Sequence, residues 1–164
     1  MKFRPATPSD EADLARLFLA LAQVGDERLF HPHPLSAEAA RTVCHHRETN
    51  GPHDEYHVAI SETPNDSVDK IVGYGILRGW TEGYEIPSLG IAVHPKHRGF
   101  GIARAFMNHL HAVAAARGAK QVRLKVYRSN TAAVRLYQSL SYAFQPWSET
   151  EMVGFYTLAQ RAAA

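Results

Sequence analysis

The sequence predicts an α/β fold in which a mixed, mainly antiparallel central sheet of about seven strands is flanked by about four helices. Short segments rich in β-branched and aromatic residues, bounded by turn residues, indicate the strands. Longer segments with apolar residues at helical spacing indicate the helices. Their order is strand, two helices, three strands, helix, strand, helix and two strands, which favours a sheet covered by helices on both faces.

The N-terminal half supplies a strand, two helices and three further strands. Residues 2–7 are predicted to form the first strand, and Thr7 and Ser9 are capping candidates for the amphipathic helix that follows. A second helix is expected after Ser36, before the Gly/Pro turn "NGPHD". The next three segments are separated by short turns, which favours consecutive antiparallel strands at residues 55–63, 70–80 and 84–95.

The C-terminal half begins with the longest clear helix, which Gly118 is expected to end. "QVRLKVYR" alternates apolar and polar residues as a strand does. Asn130 is the expected N-cap of the last helix. The segments "YAFQPWS" and "MVGFYTLAQ" then form a hairpin across "ETE".

Length and composition indicate one folded domain over residues 1–164, with 45% hydrophobic and 21% charged residues. No apolar run approaches the roughly 20 residues that cross a bilayer, and the N-terminus lacks the apolar core of a signal peptide. We therefore expect a cytoplasmic protein without membrane contact, and the single Cys44 excludes an internal disulfide. A net charge of +2 without a long basic run predicts no nucleic-acid partner, although local basic clusters suggest an anionic ligand.

The stretch "HPKHRGFGIARAF", residues 94–106, predicts a phosphate site. Gly99 and Gly101 precede a helix whose N-terminal N–H groups attract phosphate oxygens. A dinucleotide fingerprint is excluded because Arg104 stands at its third glycine position, and a Walker A loop because no Gly-Lys-Ser/Thr follows. A coenzyme A cradle is the third candidate.

Two motifs resemble those of the GNAT acyltransferase superfamily. The first, R/Q-x-x-G-x-G/A, is matched by Arg98, Gly101 and Ala103, and Gly99 and Ile102 fit its common form. The second, N-x-x-A-x-x-L-Y-x-x-x-G-F, is matched by Asn130, Ala133, Leu136 and Tyr137. It departs at Ser141, where glycine is usual, and at Tyr142, where phenylalanine is usual. The resemblance covers residues 55–160 well and the N-terminal third in element order only.

The resemblance implies a GNAT-like fold and transfer of an acetyl group from acetyl-CoA, as co-substrate, to an amine. Ile91 and Val93 would lie on the strand that, in this family, splays from its neighbour and pairs through its backbone with the pantetheine arm. An N–H near Ile91 would polarise the thioester carbonyl. Asn130 would contact the coenzyme, cap its helix, or do both. The pyrophosphate would be held by the turn and the first residues of the helix, namely Arg98, Gly99, Phe100, Gly101, Ile102, Ala103 and Arg104.

Two residues are catalytic candidates. Tyr137 would protonate the leaving thiolate, the alternative being a packing role in the core. Glu85, expected toward the start of the splayed strand, would accept the amine proton, the alternative being a solvated carboxylate. His31 and His33 are rival bases and candidate contacts to the acceptor.

The remaining histidines predict no metal site, because metal-ligand spacings are missing and His109 and His111 diverge on a helix. Aromatic, histidine and mixed-charge content in "GDERLFHPHPLS" and "QPWSETEMVGFY" favours a small polar amine as acceptor, such as an amino sugar or amino acid. The alternatives are a protein N-terminus or lysine, or a non-catalytic acyl-CoA sensor. A homodimer is the common oligomeric form.

Overall fold

A computed structural model describes residues 1–30, 32–48, 53–62 and 70–159, and within them the predicted order of strands and helices is confirmed. The strands are β1 (Lys2–Pro5), β2 (Glu55–Ile60), β3 (Ile71–Arg78), β4 (Ser88–Val93), β5 (Gln121–Tyr127), β6 (Ala143–Pro146) and β7 (Glu151–Thr157). The α-helices are α1 (Glu11–Gln23), α2 (Ala37–His45), α3 (Ile102–Ala116) and α4 (Thr131–Ser139).

The strands form one mixed sheet in the order β1-β2-β3-β4-β5-β7-β6. Strands β2, β3 and β4 are consecutive and antiparallel, and β6 pairs with β7 as a hairpin. The parallel neighbours are β4 and β5. The predicted α/β class and its mainly antiparallel sheet are therefore confirmed.

Helices α1 and α2 cover one face of the sheet. A short 3-10 turn leads into α1, and the Asp10 carboxylate fastens it by accepting from the Thr7 amide, the Thr7 hydroxyl and the Arg4 guanidinium. The Ser36 hydroxyl accepts from the Ala39 amide at 3.1 Å, which confirms the predicted N-cap of α2. The apolar stripe of α1 is buried, as its spacing predicts, through Leu14, Leu17, Phe18 and Leu21.

Helix α3 covers the other face and packs unusually close to β3. A Cβ at Gly75 would lie 2.8 Å from both Leu110 Cδ1 and Phe106 Cζ, so a larger residue there would push α3 away from the sheet. The helix ends at Ala116, and the predicted terminating glycine, Gly118, follows the capping residue Arg117 with a φ of 84° in the left-handed region. None of the α-helices in the described part of the chain is both long and apolar enough to cross a membrane.

The start of α4 confirms the predicted N-cap, and the turn after the helix shows that Ser141, where the family motif has glycine, adopts a strained backbone conformation. Asn130 Oδ1 accepts from the Ala133 amide at 3.2 Å and begins the helix. Just after the helix, Ser141 has a φ of 67°. Glycine adopts this conformation freely, whereas other residues lose about 1–2 kcal/mol there. The serine therefore keeps the turn but weakens it.

Candidate active site

The central strands β4 and β5 separate along most of their length. They pair only at Ser88 with Arg123, where the Arg123 amide donates to the Pro87 carbonyl at 3.0 Å. Because a strand directs its backbone groups alternately to its two sides, β4 beyond Ser88 presents N–H and C=O groups to the gap. Ile91 is only half-buried although β4 is the middle strand of seven. The gap can therefore accept an extended ligand along β4.

The glycine turn lies between the open end of β4 and the start of α3. Gly99 and Gly101 have φ values of 84° and 79°, and a Cβ on either would meet no atom within 4 Å. No acceptor in the described part of the chain receives the backbone N–H groups of residues 99–104. With the positive end of the α3 dipole, these amides could bind an anion, and residues 99–104 are referred to below as the anion site.

The two arginines of the turn are fastened to other elements. Arg98 Nε donates to the Val93 carbonyl at 3.1 Å, and the Arg98 guanidinium also forms an ion pair with Asp26. Arg104 Nη2 donates to Ser139 Oγ at 2.7 Å and so joins α3 to α4. Both side chains position the turn, and Asp26 partly balances the charge of Arg98.

Tyr137 projects from α4 into the buried cluster that also contains Val93 and Ile102. Its ring is 5.7 Å from that of Tyr142, and its exposed fraction is 9%. No side chain in the described part of the protein hydrogen bonds to the Tyr137 hydroxyl. Burial raises the pKa of Tyr137 to about 12, so the phenol keeps its proton at neutral pH.

A cleft with two adjoining lobes lies on the side of the sheet that carries α1 and α2. The larger lobe, about 520 Å³, lies between α2 and strands β2 and β3. The smaller lobe, about 340 Å³, extends over β4 and β5 beyond these helices. It is lined from both edges of the gap, by Ser88, Leu89 and Gly90 on β4 and by Arg123, Lys125 and Tyr127 on β5. The smaller lobe and the anion site thus adjoin the same gap.

Comparison with known proteins identifies the family. A family model described as "Acetyltransferase (GNAT) family" matches residues 21–142, which is more than half of the chain. The chain belongs to the GNAT family. The resemblance drawn from its two motifs is therefore confirmed.

Relatives of this GNAT family member are similar over part of their length. An acetyltransferase of Sodalis glossinidius is 34% identical over 71 residues, covering 43% of this chain and 50% of that protein. One of Pectobacterium atrosepticum is 34% identical over 68 residues, covering 42% of this chain and 48% of that protein. The chain spans about half the length of the curated relatives it matches.

Solved structures support the GNAT fold over nearly the whole chain. A GNAT family acetyltransferase from Streptococcus pneumoniae has a TM-score of 0.74 at 16% identity, covering 96% of this chain and 99% of that one. The yncA protein of Salmonella typhimurium, solved with acetyl-CoA, has a TM-score of 0.71 at 18% identity, covering 100% and 97%. At these identities the likeness establishes the fold.

Glu85, the predicted base, lies outside the strand on which the sequence places it. The strand was expected over residues 84–95, but β4 begins at Ser88, so Glu85 lies in the preceding loop. Its side chain is exposed and is not among the residues that line the cleft. Pro87 explains the difference, because proline has no N–H to donate to a strand partner. Glu82, three residues earlier, lines both lobes.

His33 lies in the larger lobe, packed against Phe18, Phe30 and Tyr74. Burial lowers its pKa, so the ring is neutral at neutral pH. Nδ1 donates to the Pro34 carbonyl at 2.8 Å, which leaves Nε2 to accept from the Tyr74 hydroxyl at 2.9 Å. Both ring nitrogens are therefore engaged, and proton abstraction by His33 requires the Tyr74 hydroxyl to move. The other candidate, His31, lies outside the described residues.

The two histidines of α3, His109 and His111, have different partners. His109 Nε2 lies 2.9 Å from His57 Nδ1, whereas His111 Nε2 lies 2.7 Å from the Tyr142 hydroxyl, so the two helix histidines diverge as predicted. Within the described ranges, no group of three or more histidine, cysteine or acidic side chains could hold a metal ion.

The gap agrees with the splayed strand that the family resemblance implies. Sequence reasoning missed the Asp26 partner of Arg98 and the charged lining of the smaller lobe. One signal was available in β5. Its charged residues Arg123 and Lys125 alternate with the buried Val122, Leu124 and Val126, although β5 is an interior strand. A charged face on an interior strand indicates that no helix covers it.

Proposed function

We propose that this protein transfers the acetyl group of acetyl-CoA directly to a primary amine of a small polar metabolite. The observation that carries the proposal is the gap between β4 and β5, with free amides at one end and a cleft at the other. The pyrophosphate of acetyl-CoA would bind to these amides, and its extended pantetheine arm would pair with the side of β4 that β5 leaves unpaired. Family membership supports the same donor, as does the acetyl-CoA found with the Salmonella typhimurium relative.

The residues of the turn fit a pyrophosphate. The open space at Gly99 and Gly101 would admit phosphate oxygens to the amides of residues 99–104 without a side chain in the way. Phe100, Ile102 and Ala103 would contribute backbone N–H groups. Arg98 and Arg104 would hold the turn in shape and add positive charge, and Asn130 would contribute its side-chain N–H₂, which the helix cap leaves free.

The pantetheine arm would lie along β4 past Val93 and Ile91, toward the point where β4 meets β5. The thioester would then lie near the smaller lobe, which opens beside Gly90. An N–H of β4 near Ile91, fixed by the strand, would stabilise negative charge on the acyl oxygen. The acceptor amine would reach the thioester from the cleft, at the end of the gap opposite to the anion site.

Acetyl transfer requires two proton movements. The amine nitrogen forms a bond to the acyl carbon, the carbon–sulfur bond breaks, and the sulfur needs a proton. Tyr137 would supply it, since its buried phenol is protonated and has no acceptor among the described side chains. The proton lost by the nitrogen would pass to Glu85, directly or through water, or to Glu82, which lines the cleft.

Thiol release from acetyl-CoA with a panel of amines, basic peptides included, tests the proposal. We expect Tyr137→Phe to lower kcat by roughly 100-fold or more, with coenzyme affinity unchanged. Tyr142→Phe is the matched control, because it removes a neighbouring phenol that bonds to His111 and should leave kcat near the wild-type value. If wild-type protein binds the coenzyme but acetylates no amine, the sensor alternative replaces the enzyme. An unchanged kcat in Tyr137→Phe would remove Tyr137 as the acid.

The identity of the base needs its own comparison. In a pH profile of kcat/KM, the variant that lacks the base should lose the limb that rises with pH. We expect this loss in only one of Glu85→Gln and Glu82→Gln. An unchanged limb in both variants would exclude both carboxylates.

A further inference from the structure

Three polar side chains form a row across the floor of the smaller lobe. Arg78 on β3 is paired in register with Ser88 on β4, and Ser88 is paired with Arg123 on β5. Directly paired residues point to the same face of a sheet, and all three line the lobe. Neighbouring strands are about 4.8 Å apart, so the α-carbons of the two arginines lie roughly 10 Å apart with the serine between them.

Within the part of the chain that the structure describes, no carboxylate pairs with the positive charge of this row. Arg78 Nη1 donates to the Pro32 carbonyl at 3.2 Å, and the Arg123 guanidinium lies 5.8 Å from the centre of the Tyr84 ring. Lys125, two residues along the same face of β5, adds a third cation. Among the described residues none of these three cations forms an ion pair. Their contacts orient the side chains and leave their charge for a ligand.

Several other arginines of the chain do have a carboxylate partner. Arg4 is paired with Asp10, Arg98 with Asp26, and both Arg47 and Arg117 with Glu55. Arg123 is half-buried, so an unpaired guanidinium there loses hydration without gaining a protein carboxylate. A bound anion between Arg78 and Arg123 would restore that balance.

The same lobe also offers negative charge. Glu82 and Glu151 line it, and neither carboxylate has an ion-pair partner among the described residues. The lobe thus presents separated cations and carboxylates, which suits a ligand carrying both an anion and an ammonium group. Gly90, two residues beyond Ser88, lines the same lobe beside Phe30 and Ile76.

We infer that the acceptor amine carries an anionic group, a carboxylate or a phosphate, held between Arg78 and Arg123 above Ser88. This inference rests on the proposed function and specifies its acceptor. Guanidinium groups bind both anions in a planar, two-point manner, and the serine hydroxyl can donate to a third oxygen. The anion would orient the molecule with its nitrogen toward the gap.

Matched pairs of amines test the inference in the full-length protein. One arm compares amino acids with their neutral amides, and the other compares amino sugar phosphates with the unphosphorylated amino sugars. We expect the anionic member of at least one pair to have a kcat/KM at least 10-fold higher, and the arm that responds identifies the anion. Calorimetric binding of each amine to the coenzyme-bound protein provides a readout that does not depend on turnover.

Arg123→Met should lower both affinity and kcat/KM for the anionic amine by 10-fold or more, and leave the neutral member unchanged. Arg123→Lys, which keeps the charge but not the planar fork, should recover part of the loss. Arg41→Met is the matched control, because Arg41 is exposed on α2 and does not line the cleft. Equal binding of charged and neutral amines by wild-type protein would overturn the inference. Selective binding of the anionic amine without acetylation would instead overturn the proposed function.

Discussion

Replacing Gly101 with glutamate should abolish anion binding at the turn while leaving the protein folded. Gly101 has a φ of 79°, so any other residue there loses about 1–2 kcal/mol of stability. No atom lies within 4 Å of the added Cβ, so a steric penalty is not expected. A carboxylate at the N-terminus of α3 regains about 0.3–1 kcal/mol from the helix dipole. The net loss is about 1 kcal/mol, small against the roughly 5–15 kcal/mol of a typical domain.

Coenzyme binding should respond far more strongly. The glutamate side chain projects into the space proposed for the pyrophosphate and repels it. Losing two charge-assisted hydrogen bonds, each worth about 1.5–3 kcal/mol, removes at least roughly 3 kcal/mol of binding free energy. Because about 1.4 kcal/mol corresponds to a tenfold change, the affinity should fall by more than about 100-fold. Calorimetric titration of the folded variant with coenzyme A measures this change.

Two control variants isolate the cause. Gly101→Ala has the same backbone penalty without the charge, so it should lose similar stability and much less affinity. Gly118→Glu places the same side chain at the far end of α3, at a φ of 84° and in open space, and should bind coenzyme A normally. If Gly101→Glu remains folded and binds within about threefold of wild type, the assignment of the anion site to this turn is wrong.

Two further predictions concern stability. Ser141→Gly should raise the free energy of unfolding, because the strain removed at a φ of 67° exceeds the entropy cost of glycine by roughly 0.5–1 kcal/mol. Calorimetry should show a Tm a few degrees higher. An equal gain in Ser141→Ala would refute the backbone explanation. Burial lowers the pKa of His111 from 6.5 to about 4, so the unfolded chain takes up a proton at a higher pH than the folded protein does. Stability should therefore fall as the pH is lowered from about 6.5 to about 4, by up to roughly 3 kcal/mol from this group. Denaturant titrations of His111→Gln should show a shallower fall over that window, and an identical slope would remove His111 as a source.

The elements were predictable because each is encoded by local pattern. Apolar residues at helical spacing became the buried face of α1, and Ser36 and Asn130 cap α2 and α4 through short-range hydrogen bonds. The glycine turn was equally readable, since its two positive φ values require residues without a Cβ. Local signals thus predict most of the fold and the conformation of the glycine turn.

Features that depend on distant partners were not readable. The Asp54 carboxylate accepts from the amides of Gly79 and Trp80, which ends β3 at Arg78 rather than at residue 80 as expected. Asp54 and Gly79 are 25 positions apart, so the short sequence windows that predict strands do not contain both residues. The row of Arg78, Ser88 and Arg123 likewise depends on the register of three strands, which a pattern of alternation leaves open.

The single residue pair between β4 and β5 divides the sheet into two ladders, one of four strands and one of three. Backbone hydrogen bonds barely cross this seam, so cohesion between the halves depends on α3, which packs on β3, β4 and β5 together. A ligand that enters the seam would form hydrogen bonds to the β4 backbone where β5 forms none, and would take the place of the missing strand pairing. Binding of the donor substrate would then tie the two halves together, and its release would leave their cohesion mainly to α3.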